Sequence, residues 1–128
     1  MNDKKIIGNL GENFAAEYLK DKGYKIIERN HWKPWGELDI ITIAPDKTLV
    51  FVEVKSLQYN LTEKSSNDYI QPENNLTQTK LKKLQRTASL YANSNPELVD
   101  DNRGWRIDLL AIDIFDEKKF NIRHYENI

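Results

Sequence analysis

Two short runs rich in β-branched residues, Leu38–Ile43 and Leu49–Val54, are separated by Ala44-Pro45-Asp46-Lys47, a turn-forming tetrad of the length that joins a hairpin. Both runs are apolar on both faces, so they predict strands in the middle of a sheet covered on each side, not at an exposed edge. This makes the charges inside the pair conspicuous. In Leu49-Val50-Phe51-Val52-Glu53-Val54-Lys55 the pleat sends Glu53 and Lys55 to the face of Leu49 and Phe51, with Val50, Val52 and Val54 on the other. In Gly36-Glu37-Leu38-Asp39-Ile40-Ile41 it puts Glu37 and Asp39 on one face, and hairpin pairing can bring that face beside Glu53 and Lys55.

The flanking segments supply layers for such a sheet. From Ile7 to Lys22, Leu10, Phe14, Tyr18 and Leu19 form a helical stripe, and Gly23 is placed to end the helix. Tyr24–Glu28 reads as a short strand, followed by a loop carrying Trp32, Pro34, Trp35 and Gly36. Ser56–Asn75 is polar, carries Pro72 and has little periodicity, which predicts a mobile connection. Leu76–Asn93 places Leu81, Leu84, Ala88 and Tyr91 at helical spacing before Pro96. Trp105–Phe115 and Phe120–Tyr125 predict two more strands around the Asp116-Glu117-Lys118-Lys119 turn. The order is α-β-β-β-α-β-β: an α/β layered fold with a mixed central sheet flanked by helices, expected to form one domain across residues 1–128.

Composition limits the chemistry. The chain has no cysteine, and His31 and His124 are far apart, so disulfides and thiolate or histidine metal sites are excluded and any metal must sit on carboxylates. No stretch suits a signal peptide or a membrane span, so a cytoplasmic protein without membrane contact is expected. The net charge of −1 does not announce a nucleic-acid binder. Yet Asn74–Pro96 holds no acid while Lys80, Lys82, Lys83 and Arg86 cluster near its middle, which leaves room for a local basic surface.

Burying an unpaired carboxylate costs several kcal/mol, so carboxylates inside central strands usually serve a metal or a partner cation. Glu53 and Lys55 alone fit an ion pair as well as a metal site. Asp39 on the neighbouring strand tips the balance, because two carboxylates from adjacent strands offer the hard oxygen ligands that Mg²⁺ or Mn²⁺ prefers. A glycosidase is disfavoured: a lysine two residues along would hold its acid deprotonated. Arg106 and Asp108 share a strand face and most simply pair with each other. Trp32 and Trp35 suit base stacking, a self-packed turn or a dimer contact equally, and the two histidines read as surface residues.

Gly11-Glu12-x-x-Ala15-x-x-Tyr18-Leu19, Gly23-Tyr24, Arg29-Asn30, Gly36-Glu37-Leu38-Asp39-Ile40-Ile41, Phe51-Val52-Glu53-Val54-Lys55, Lys80 before Leu84, and Arg106-Ile107-Asp108 together resemble the YraN family of small bacterial proteins. That family is placed in the PD-(D/E)xK nuclease superfamily and is similar in outline to archaeal Holliday-junction resolvases. The resemblance implies a restriction-endonuclease-like fold and a metal-dependent endonuclease acting on structured or branched nucleic acid, more readily DNA. It implies catalytic roles for Glu12, Asp39, Glu53 and Lys55, with Mg²⁺ or Mn²⁺ held by Asp39, Glu53 and the carbonyl of Val54. Without the family, Glu12 is equally a favourable acid in a helix's first turn, and Lys80 an ordinary solvated lysine. Lys80, Lys83 and Arg86 would grip the backbone. Leu38-Asp39 replaces the superfamily's Pro-Asp with the ligand intact, and Ser56-Leu57-Gln58 stands where the family often has an arginine. The alternative is a catalytically silent nucleic-acid-binding or partner-docking module. Junction resolution would also require a symmetric homodimer.

Overall fold

The computed structural model describes residues 3–59, 73 and 76–128, the side chains of residues 3–5 excepted. Helix α1, Asp3–Asp21, ends at Gly23, whose φ of 89° is the left-handed geometry expected of it. The strands β1 (Lys25–Lys33), β2 (Gly36–Ile43) and β3 (Leu49–Gln58) follow, then helix α2 (Gln78–Ser94), and finally β4 (Trp105–Ile114) and β5 (Phe120–Tyr125). The sheet runs β1-β2-β3-β4-β5 in space; every neighbouring pair is antiparallel except β3 and β4. The parallel pair demands a crossover, which contains α2, capped at its start by the Thr77 hydroxyl accepting from the Lys80 N–H. Helices cover both faces of a mixed sheet in the order α-β-β-β-α-β-β, the architecture of a restriction-endonuclease-like fold.

The alternation read in β3 decides which core each side chain enters. Val50 and Val52 join Phe14, Ala15 and Leu19 under α1, where Val54 also packs, whereas Leu49 and Phe51 join Leu84, Ala88 and Tyr91 under α2. Both layers are held by burial of aliphatic and aromatic surface worth roughly 25 cal/mol per Å². Two motif glycines set how closely the layers approach. A Cβ on Gly11 would stand 1.8 Å from Ser56 Oγ, and one on Gly36 would stand 2.2 Å from Thr87 Oγ1. Helix α1 therefore lies directly on β3, and α2 on the start of β2, only because those positions carry no side chain.

Several expectations change. The strand expected at Tyr24–Glu28 runs from Lys25 to Lys33, and Trp32, read as part of a loop, pairs with Glu37 while Lys33 pairs with Gly36. Only Pro34 and Trp35 remain as the turn. Residues 29–33 escape the pattern because this edge strand is held by its ladder and leaves most of its side chains in solvent. β3 likewise continues past Val54 through Gln58; the rest of the stretch expected to be mobile lies outside the described residues, apart from Tyr59 and Glu73.

The histidines are not surface residues. His31 contacts Glu28 at 2.9 Å and sits edge-on to Tyr91. The His124 side chain is only 10% exposed, with Nε2 at 2.8 Å from Asp108 Oδ2 and Nδ1 at 3.1 Å from the Tyr18 hydroxyl. The fully buried Asp108 holds His124 inward, and its carboxylate also accepts from Arg106 Nε at 2.9 Å and from the Asn127 N–H at 3.0 Å. Arg106 and Asp108 form the pair expected of them.

Candidate metal centre

β2 and β3 pair from Ile43↔Leu49 to Ile40↔Val52, and no pairing continues beyond. At the first position past this register the Asp39 carboxylate accepts the main-chain N–H of Val54 at 2.9 Å. That bond seats Asp39 beside Glu53, whose own carboxylate meets the Lys55 ammonium at 3.2 Å. The Glu53 side chain is 15% exposed. The strands thus open at one end of the sheet, and the charges line the opening.

Electrostatics mark the pair as under-compensated. Burial first, and then the charge of Asp39, push the Glu53 carboxyl up to about 7, although Lys55 opposes the rise. Burial likewise raises Asp39 despite the Val54 hydrogen bond. Two acids that hold protons this tightly beside a lysine still lack positive charge.

A cleft of about 710 Å³ is lined by Glu12, Glu37, Asp39, Glu53, Val54 and Lys55 together with neighbouring residues of α1 and β3. Glu12 enters it from α1, held by Asn30: turned so that its nitrogen faces the carboxylate, the Asn30 amide donates to Glu12 at 2.8 and 3.2 Å. Next to it Arg29 donates to Asn13 at 2.9 Å, so Arg29-Asn30 on β1 and Glu12-Asn13 on α1 interlock. Burial and then the Asp39 charge raise the Glu12 carboxyl as well.

A second cleft of about 320 Å³ lies on the α2 side and shares Glu37, Glu53 and Lys55 with the first. Lys80, Lys83, Leu84 and Thr87 line it from α2, at one-turn spacing on one helix face, and Trp32 and Lys33 line it from β1. Of the residues expected to act, Glu12, Asp39, Glu53, Val54 and Lys55 come together in one cleft and Lys80 and Lys83 in the adjoining one. Arg86 is exposed and lines neither. Sequence reasoning does not single out Glu37, Lys33 or Asn30 for the site. Glu37 had a signal, sharing the predicted face of Asp39; Asn30 sits at φ 54°, a geometry Asn tolerates, and the sequence gives only a weak hint of that.

The donor set suits a hard divalent cation. Asp39 and Glu53 offer carboxylate oxygens from adjacent strands in surroundings that disfavour their negative charge. Among the described residues no group of three or more His, Cys, Asp or Glu forms a ready-made cage, so water, main chain or ligand phosphate would complete the coordination. That incompleteness is usual for Mg²⁺, which keeps several waters and binds through one or two carboxylates.

Fold and cleft define a small restriction-endonuclease-like α/β protein with paired strand-borne carboxylates. The family described as "Uncharacterised protein family UPF0102" matches residues 11–112, and this chain belongs to that family. It is similar to the UPF0102 protein of Alkaliphilus oremlandii, 38% identical over 127 residues covering 99% of this chain and 98% of that one. The UPF0102 protein of Fervidobacterium nodosum is 36% identical over 93% of this chain and 78% of its own, and that of Campylobacter concisus 33% identical over 96% and 93%. The matched span covers the motifs that suggested the YraN resemblance, from Gly11 to Asp108. No helix among the described residues is long and apolar enough to cross a membrane.

Proposed function

We propose that this protein is a metal-dependent endonuclease that hydrolyses phosphodiester bonds in structured or branched nucleic acid. The observation that carries the reading is the convergence of Asp39, Glu53 and Lys55 where β2 and β3 part, in a cleft continuous with the lysine-bearing face of α2. Asp39 and Glu53 would hold Mg²⁺ or Mn²⁺, with the Val54 carbonyl as a further oxygen. When bound, such an ion supplies an acidified water and polarises the phosphate.

The chain's own groups account for the rest. Lys55, 3.2 Å from Glu53, would orient the attacking water and stabilise charge as it develops on the phosphate. Glu12, fixed by Asn30, adds an acid on the α1 side of the same cleft. Lys80 and Lys83 face the neighbouring cleft and would hold the sugar-phosphate backbone, giving affinity that falls steeply with salt.

The test is calorimetric titration of Mn²⁺ and Mg²⁺ into the wild type and Asp39→Ala, beside cleavage assays on four-way junction, flap, duplex and single-stranded substrates. Metal binding lost in the variant, with metal-dependent cleavage of any substrate, supports the nuclease. Neither binding nor cleavage would leave Glu53 and Lys55 as an ion pair on a binding module.

A further inference from the structure

We infer that the β1–β2 hairpin is a base-stacking platform and that Trp32 receives an unpaired base beside the phosphate presented to Glu53 and Lys55. The preferred ligand is therefore nucleic acid with unstacked nucleotides, not continuous duplex. The inference rests on the reading of the cleft as a nucleic-acid site.

Trp32 leaves 66% of its surface in solvent, the most of any large apolar side chain described, and so contributes little to the core. A lone exposed aromatic would mean nothing. Among the described residues lining its cleft, however, Trp32 stands with four cations, Lys33, Lys55, Lys80 and Lys83, against the acids Glu37 and Glu53. A flat apolar ring surrounded by an excess of cations suits a ligand with aromatic faces and a polyanionic backbone. Stacking of bases on aromatic side chains within a positive groove is how single strands are held without sequence readout.

The platform is rigid in the way such a role needs. Pairing of β1 with β2 extends through Trp32↔Glu37 to Lys33↔Gly36, so the ring stands on a laddered strand with a two-residue turn containing Pro34 beyond it. Gly36 in turn lies against Thr87, on the α2 face that carries Lys80 and Lys83. The spacing between the hairpin that carries the ring and the helix that carries the lysines is thereby set by packing. Trp35 is exposed too but does not line the cleft, which makes it an internal control.

The decisive measurement is equilibrium binding in EDTA, where cleavage cannot occur, of a fluorescent single strand, a duplex with an unpaired bubble, and the same duplex fully paired. Trp32→Ala is expected to weaken binding of the first two by roughly 5- to 100-fold, with the paired duplex changed less than about 2-fold. Trp32→Phe should recover part of the binding that Trp32→Ala loses, and Trp35→Ala should stay near the wild type. In a protein carrying Trp35→Phe and Trp105→Phe, emission from Trp32 should be quenched by single strand. Equal binding by Trp32→Ala, an equal loss on all three ligands, or no single-strand binding by the wild type would overturn the inference. So would loss of self-association in Trp32→Ala with unchanged oligonucleotide binding, which would assign the ring to a second copy of the chain. Failure of cleavage with Mg²⁺ or Mn²⁺ would instead remove the nuclease reading and leave this result standing.

Discussion

Asp39 Oδ2 accepts the Val54 N–H at 2.9 Å just where β2 and β3 cease to pair, so one hydrogen bond both finishes the ladder and points a carboxylate at Glu53. Asp39→Asn keeps an oxygen for that N–H while removing the charge. Its unfolding free energy should stay within about 1 kcal/mol of the wild type, but the Mn²⁺-induced rise in Tm should disappear. Asp39→Ala leaves the Val54 N–H without its acceptor, and denaturant unfolding should register a loss of about 1–3 kcal/mol.

Glu53 makes stability depend on pH in an unusual direction. With its carboxyl raised to about 7 against an ordinary 4.5, the folded protein binds the proton more tightly than the unfolded chain. Its contribution to stability is therefore present below about 4.5 and is lost as pH rises through about 7. Glu53→Gln removes this dependence. Near pH 8 the variant should be more stable than the wild type, on the order of 1–3 kcal/mol, and the advantage should vanish near pH 4. Urea melts across that range would reveal it, and an advantage independent of pH would refute it.

Lys80 and Lys83 line the α2-side cleft, whereas Arg86 projects elsewhere. Lys80→Ala and Lys83→Ala should each weaken oligonucleotide binding similarly for unrelated sequences and lower the slope of log affinity against log salt by about 1. Arg86→Ala should change the slope less. Titrations at several salt concentrations separate these outcomes.

Gly11 lets helix α1 approach β3 closely. Ala is ordinarily favoured over Gly inside a helix by about 1 kcal/mol, but here its Cβ would fall 1.8 Å from Ser56 Oγ. Gly11→Ala should therefore destabilise, by about 1–3 kcal/mol, and Ser56→Gly in the same chain should recover part of the loss. Thermal melts of the single and double variants measure the coupling.

Most of the fold was legible because burial writes itself into alternation. Val50 and Val52 on one side and Leu49 and Phe51 on the other fall into the two cores their spacing assigned. The charges interrupting that alternation, Glu53 and Lys55, with Asp39 on the partner strand, located the cleft for the same reason. What escaped was structure held by main chain or by distant partners. The outer half of β1 has no apolar pattern because its ladder and polar contacts to α1 hold it, and His124 is buried by Asp108, Tyr18 and its own strand register, none of which a local window contains. Lys33 joins the cleft only because the β1–β2 ladder persists to the Lys33↔Gly36 pair.

The hairpin that carries the acids also orders events in time. Asp39 and Glu53 lie fourteen residues apart across a single tight turn, closed by Ala44 and Thr48. Leu49 and its parallel neighbour Trp105 are joined only after a long excursion through α2. Closing short loops costs less entropy and is faster, so the two carboxylates should meet early in folding, while both are still hydrated. Their repulsion would then be felt late, when α1 and α2 dock and expel water from around them. A divalent cation captured by the nascent hairpin would ease that last step, so the ion proposed for chemistry would also favour completion of the fold.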